Sequence, residues 1–266
     1  MSRPVTLEAL AGMKHERTPI AMLTAYDATL AAAVDAAGVD CILVGDSLGN
    51  VVQGRDSTVP VSVDDMAYHT ACVRRGVQRA LVIADLPYLS YAGVDAAVES
   101  ARRVMQAGAA MVKLEGGAPV LDAVRRLTDH GTPVCGHLGL TPQSVHQLSG
   151  YKVQGRDAGA RDRLLRESRA LQDAGASLLV LECVASSLAA EIASSLTIPV
   201  IGIGAGVDVD GQVLVLHDAL GLGGDRAPRF VRDFMAGAGT IPAALTAYVD
   251  AVRSRSFPGT AESYGD

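Results

Sequence analysis

The chain has 266 residues, 49% of them hydrophobic and 4% aromatic, with no Trp and a formal charge of −6. That composition lacks the basic footprint and the stacking surface of a nucleic-acid binder, so no nucleic-acid partner is expected. No apolar run reaches the roughly 18 residues of a membrane span and the N-terminus shows no signal-peptide core, so the expected setting is cytoplasmic, with no membrane partner.

The length is close to the roughly 250 residues of one (β/α)8 barrel, and short β-branched runs alternate with helical patterns along the chain. Strands are predicted at residues 19–23, 41–45, 80–84, 111–114, 134–136, 177–181, 199–202 and 213–216. Helices are predicted at 27–37, from 63 to 74, 94–106, up to 130, 158–173, 187–195 and over a C-terminal region, 229–253. Three of them stop at Ala-Gly (Ala37-Gly38, Ala107-Gly108, Ala174-Gly175), a usual C-cap signal. Eight strands in alternation favour a closed α/β TIM barrel over an open sheet, and no linker or low-complexity tract divides residues 1–266, so one domain is expected. The segments 47–62 and 139–156 are longer than most strand-to-helix loops, which marks them as functional candidates.

Four of the apolar runs end on an acid: CILVGD at Asp46, LVIAD at Asp85, MVKLE at Glu115 and LLVLE at Glu182. Carboxylates at the ends of buried strands must be paired or hold a cation. In a barrel, the C-terminal ends of the strands form the rim that carries the active site. Asp46 and Asp85 are the best metal candidates, and oxygen donors without a His or thiolate pair favour a hard cation such as Mg2+. Glu115 would complete the site directly or through water. A single such acid would more simply cap a helix or pair with Arg; several at one rim make the metal the better reading.

Lys113 shares a strand face with Glu115. It either binds a substrate carboxylate beside the metal or is paired only with Glu115, and spacing leaves both open. Glu182, on the sixth strand, stands across the barrel from Asp46 and suits a general base whose pKa is raised by burial. His137 follows the fifth strand, where it would polarise substrate or be a satisfied core histidine; His69, His146 and His217 carry less weight. GIGAG at 202–206 does not open the first strand-helix unit, so it is not a dinucleotide fingerprint. The dispersed cysteines (Cys41, Cys72, Cys135, Cys183) form no CxxC pair and read as reduced structural thiols, a nucleophilic Cys183 being the weaker alternative.

The segments TAYD (24–27), ILVGDSLG (42–49), DSTVPV (56–61), ADLP (84–87), VKLEGG (112–117), GHLGLTPQSVHQLSGYKVQG (136–155), VLECV (180–184) and the stretch from IGIGAG to DGQVLVLHDALGL (201–222) stand in one order along the chain. In that order they resemble the ketopantoate hydroxymethyltransferase (3-methyl-2-oxobutanoate hydroxymethyltransferase) family. The resemblance runs from about residue 22 to 221, with a looser tail to 258. It implies a barrel of the phosphoenolpyruvate/pyruvate type, Mg2+, 5,10-methylenetetrahydrofolate as co-substrate, and a homodecamer. It also implies metal ligands at Asp46 and Asp85 with Glu115 on or near the metal, ketoacid contacts at Asp46, Ser47, Asp85 and Lys113, a base at Glu182, and a pocket position at His137. The departures are Asn50, Arg55 and Ala185, which touch loop shape and helix entry. The implied reaction is an aldol-type transfer of a hydroxymethyl group to 3-methyl-2-oxobutanoate through an enolate, giving ketopantoate for pantothenate synthesis. The folate site is not assigned beyond two candidate loops, GIGAG and 139–156. A lyase or mutase of the same superfamily would be expected to carry a catalytic Cys in a loop after a middle strand, and residues 85–92 and 138–155 contain none.

Overall fold

In the computed structural model, which describes residues 3–148, 150, 152–223 and 227–265, the strand-like runs pair in chain order. They are β1 (Ile20–Thr24), β2 (Cys41–Val44), β3 (Leu81–Asp85), β4 (Met111–Glu115), β5 (Val134–Gly139), β6 (Leu178–Glu182), β7 (Val200–Ile203) and β8 (Gly211–Leu214). Each is parallel to the next and β8 returns to β1, closing an eight-stranded barrel. Ile, Leu, Val and Met dominate the strands because both faces are buried, one in the barrel interior and one under the helices. Among the described residues, no helix is long and apolar enough to cross a membrane.

The predicted helices form with small shifts at their ends, and Ala37, Ala107 and Ala174 are C-caps as read. The helix Val63–Gly76 opens on a reciprocal capping box between Ser62 and Asp65. β5 runs on to Gly139, past the predicted 134–136, so His137 lies within the strand rather than after it, and three further features depart from the sequence reading. A helix at Leu7–His15, capped by Thr6, precedes β1. β8 lies two residues earlier than 213–216, because Gly211 pairs opposite Ile20, where a β-carbon would collide with the Ile20 carbonyl oxygen. Leu216 instead opens the short helix Leu216–Ala219, its N–H held by Thr24 Oγ1 at 2.9 Å. The C-terminal helix is confined to Ile241–Arg253; Gly237 and Gly239, at φ of 84° and 74°, interrupt the helical path before it.

That last helix packs on β1 and seals the seam of the barrel. Tyr248, fully buried, donates its hydroxyl to the carbonyls of Met22 in β1 (2.7 Å) and Gln212 in β8 (2.9 Å). Arg253 reaches Asp40 at 2.6 Å, and Arg79 stands 3.8 Å from the same carboxylate. Tyr248→Phe removes the only hydrogen-bonding group on this side chain while keeping its packing. It should lower stability by about 1 kcal/mol, the net worth of one hydrogen bond, read as a lower urea midpoint with unchanged slope.

Candidate active site

The C-terminal ends of the strands surround a cavity of about 740 Å³. Asp46, Asp85, Lys113, Glu115, His137 and Glu182 all line it, so the structure brings together the sequence-predicted polar set. Leu43, Val180, Ile203 and Val213 supply apolar wall. Both candidate folate loops reach it, GIGAG through Ile203 and the 139–156 segment through Leu140, Pro142, Lys152 and Val153. Residues 149 and 151 of the latter lie outside the described set.

β3 and β4 deliver the central ion pair. Lys113 Nζ stands 2.7 Å from Asp85 Oδ1 and 4.0 Å from Glu115 Oε1, all three side chains being buried. The other Asp85 oxygen accepts the backbone N–H of Asp46 at 3.0 Å. Gly45, just past the end of β2, leaves room for this turn: a β-carbon there would sit 2.8 Å from Ser47 Oγ and 3.5 Å from Asp85 Oδ2. Ser47 Oγ is 2.8 Å from the Tyr26 hydroxyl. Asp85 Oδ1 has no aligned hydrogen-bond partner despite the nearby ammonium.

β5 and β6 deliver the second centre. β5 closes on Gly139, at φ 93°, where any β-carbon would meet the carbonyl oxygen of Glu182. This close approach sets His137 Nε2 3.3 Å from Glu182 Oε2. On its other side, His137 Nδ1 is 3.3 Å from Lys113 Nζ and 3.2 Å from Glu115 Oε1. Nδ1 thus faces both an ammonium, which only donates, and a carboxylate, which accepts. The Nε2–H tautomer, in which Nδ1 accepts from Lys113, turns the ring proton toward Glu182, though Nε2 has no aligned hydrogen bond there. The Glu182 side chain is 15% exposed against 3% for Glu115, making it the more open of the two to the cavity.

Burial sets the protonation pattern. It raises the pKa of Asp46, reinforced by Asp85 and Glu115, and pushes Glu115 up to about 7, with Lys113 opposing. Burial likewise raises Glu182, tempered by His137, and lowers His137, helped by Lys113. On Lys113 burial opposes the charge, but Asp85, Glu115 and Asp46 outweigh it and hold the pKa above its usual value. Burial raises the Cys183 thiol well out of the nucleophile range, with Glu182 adding to it.

Sequence reasoning named no role for Gln143, Tyr91 or Tyr26. Gln143 is buried in the loop after β5 and touches both Asp46 and Glu115; it stood inside a quoted motif, but an amide has no titratable signature to single it out. Two departures from the family pattern support one another: Asn50 donates to the Arg55 carbonyl and Arg55 to the Pro60 carbonyl, each at 2.8 Å. Ala185 stands at the N-cap position of the helix Ser186–Ser195, at φ −53° and ψ 131°, with no side-chain capping hydrogen bond.

A family model described as ketopantoate hydroxymethyltransferase matches residues 4–260. The 3-methyl-2-oxobutanoate hydroxymethyltransferase of Shewanella amazonensis is 55% identical over 260 residues, 98% of each chain. The 3-methyl-2-oxobutanoate hydroxymethyltransferase 1 of Burkholderia cenocepacia is 56% identical over 264 residues, 99% of this chain and 97% of the relative. The chain belongs to the ketopantoate hydroxymethyltransferase family. Among solved structures, a phosphonopyruvate hydrolase complexed with oxalate and Mg2+ superposes with a TM-score of 0.63 at 12% identity, covering 81% of this chain and 83% of that one. A 2,3-dimethylmalate lyase, a member of the PEP mutase/isocitrate lyase superfamily, superposes with a TM-score of 0.59 at 19% identity, covering 81% and 82%. The ketopantoate hydroxymethyltransferase fold is therefore shared with that superfamily of barrels.

An acid whose pKa is raised by folding favours its neutral form in the fold, so its contribution to stability is lost as pH rises through the folded pKa. Asp46→Asn removes that loss. In the presence of chelator the variant should melt about 2–4 °C above the parent at pH 8, the shift for about 1 kcal/mol in a domain of this size. The gap should shrink towards pH 5, and equal melting temperatures at pH 8 would contradict the protonation pattern.

Proposed function

We propose that this protein transfers a hydroxymethyl group from 5,10-methylenetetrahydrofolate to 3-methyl-2-oxobutanoate, giving ketopantoate, with Mg2+ held by Asp46 and Asp85. The observation that carries the reading is the pairing of two centres across one cavity: the Asp46–Asp85–Lys113 group and the His137-oriented Glu182. In a family named for this reaction, that pairing supports the reading of a ketoacid site beside a base.

The residues fit a hard cation. Asp85 Oδ1, ion-paired with Lys113, has no aligned hydrogen bond, the donors are all oxygen, and the buried acids outnumber Lys113, the one buried lysine among the described residues. Among the described residues, no three or more His, Cys, Asp or Glu side chains form a ready-made ligand cluster. Mg2+ suits this arrangement, because it takes one or two carboxylates and fills its other positions with water and substrate oxygens. Glu115, whose oxygens already face Gln143, His137 and Lys113, would help to hold the cation, directly or through water. When bound, Mg2+ would supply Lewis-acid polarisation and a template for the ketoacid.

The remaining work falls to the protein. Lys113 balances the ketoacid carboxylate, and Ser47, held by Tyr26, donates to the same substrate. Glu182, its carboxylate oriented by His137, takes the C3 proton, leaving an enolate. Burial has raised its pKa, which strengthens it as a base. Water hydrolyses the methylene bridge of the folate, breaking its two C–N bonds and releasing tetrahydrofolate and a formaldehyde-level one-carbon unit. C3 of the enolate forms the new C–C bond to that carbon, and its oxygen takes a proton to become the hydroxymethyl group. Leu43, Val180, Ile203 and Val213 keep the reacting carbon in an apolar, water-poor wall.

The test is proton NMR of 3-methyl-2-oxobutanoate in D2O with the protein and Mg2+, with and without chelator and methylenetetrahydrofolate. Metal-dependent loss of the C3–H signal is expected, with ketopantoate appearing once the folate is added. Glu182→Gln should slow exchange by about 10²–10⁴-fold while leaving ketoacid affinity largely intact; equal rates would remove Glu182 as the base. Because the base must be ionised and its pKa is raised, the acid limb of the rate profile should lie above the usual glutamate value of about 4.3.

A further inference from the structure

Gln143 makes four hydrogen bonds from a buried position. Its Nε2 donates to Asp46 Oδ2 at 2.8 Å and to the Leu86 carbonyl at 3.0 Å; its Oε1 accepts from the Tyr91 hydroxyl at 2.6 Å; its backbone N–H donates to Glu115 Oε2 at 3.1 Å. The Tyr91 hydroxyl is itself fixed, because it accepts the Glu115 backbone N–H at 3.3 Å. A carboxylate and a carbonyl offer no protons, so they require the NH2 side of the amide, and Tyr91 receives the oxygen side. The orientation of the carboxamide is therefore decided by its surroundings. Gln143 also belongs to none of the strands: it sits in the short turn Pro142–Ser144 of the loop after β5. One loop residue thus clamps an acid that follows β2 and an acid from β4, and ties both to the segment after β3 through Leu86 and Tyr91.

The choice of an amide is informative. A lysine here would neutralise Asp46 and compete with a cation, and a glutamate would set two acceptors against each other. A neutral donor fixes one oxygen of the carboxylate and leaves its charge in place.

We propose that Gln143 is a positioning residue that couples cation binding at Asp46 and Asp85 to the seating of the loop after β5. The proposal rests on the Mg2+ reading above. Coupling is reciprocal: if the seated loop holds Asp46 ready for the cation, the cation in turn holds the loop seated. Loss of a partner that orients a ligand commonly weakens metal affinity by about 10–100-fold.

The experiment combines Mg2+ titration by calorimetry with hydrogen exchange of the backbone amides of residues 140–148, with and without Mg2+. Gln143→Met preserves volume but removes every side-chain hydrogen bond. In the parent, Mg2+ should slow exchange across 140–148. In Gln143→Met, the Mg2+ dissociation constant should rise about 10–100-fold and the slowing should disappear, with kcat falling more than KM changes. Tyr91→Phe, which removes one hydroxyl and keeps the ring, should fold in any case and give a smaller shift in the same direction. Parent-like Mg2+ affinity in both variants, or exchange in the parent that ignores Mg2+ although calorimetry shows binding, would overturn the proposal and leave the cation site standing. A parent that binds no Mg2+ would overturn the cation reading itself, and this inference with it.

Discussion

Excess negative charge buried at the barrel mouth constrains everything else at this end of the molecule. Asp46, Asp85 and Glu115 lie almost out of contact with water and Glu182 little less so, against the single ammonium of Lys113. An isolated carboxylate cannot be kept ionised in such a place without compensation. The protein distributes the burden. Asp85 takes the lysine and a backbone N–H, Asp46 takes an amide, Glu115 rises to about 7 and shares a proton economy with His137, and Glu182 keeps the more open position. No group is fully neutralised, so the site retains a standing attraction for a small hard cation and for the acidic substrate that such a cation would carry.

That arrangement needs rigid supports, and the barrel provides them. Lys113 and Glu115 come from alternate positions of β4, so their separation is set by the strand repeat. His137 and Glu182 come from neighbouring strands whose spacing is closed down at Gly139. The loops contribute what strands cannot, namely groups that reach inward over the rim, as Gln143 does. The division matches the usual pattern of barrels, in which the strands fix positions and the loops set selectivity.

The strand-borne half of the site was legible in the sequence because its signal is periodic and local. Apolar runs ending in Asp or Glu could be read off directly, and the two-residue repeat placed Lys113 beside Glu115. The family resemblance then attached roles to those same positions. What escaped was non-local. β8 was displaced because Gly211 has no strand propensity; its place is decided by Ile20, nearly two hundred residues away. The stretch before Ile241 kept helical composition, but its glycines adopt a turn. Gln143 and Tyr91 have ordinary residue types, and their importance appears only when the loops after β3 and β5 meet over the acids. The short N-terminal helix had too weak a pattern to stand out.

The seam closed by Tyr248 gives this chain a particular history during its own synthesis. β1 emerges from the ribosome near the beginning, yet its second neighbour, β8, and the helix that covers it come near the end; Tyr248 and Met22 are 226 positions apart. At about 5–20 residues per second, that gap is of the order of 10–45 s. Until β8 has been made, β1 presents an unpaired apolar edge of the kind that can recruit another chain. Truncation within the final helix would leave β8 in place against β1 but strip the cover from β1 and remove the Tyr248 hydroxyl that bridges the two strands.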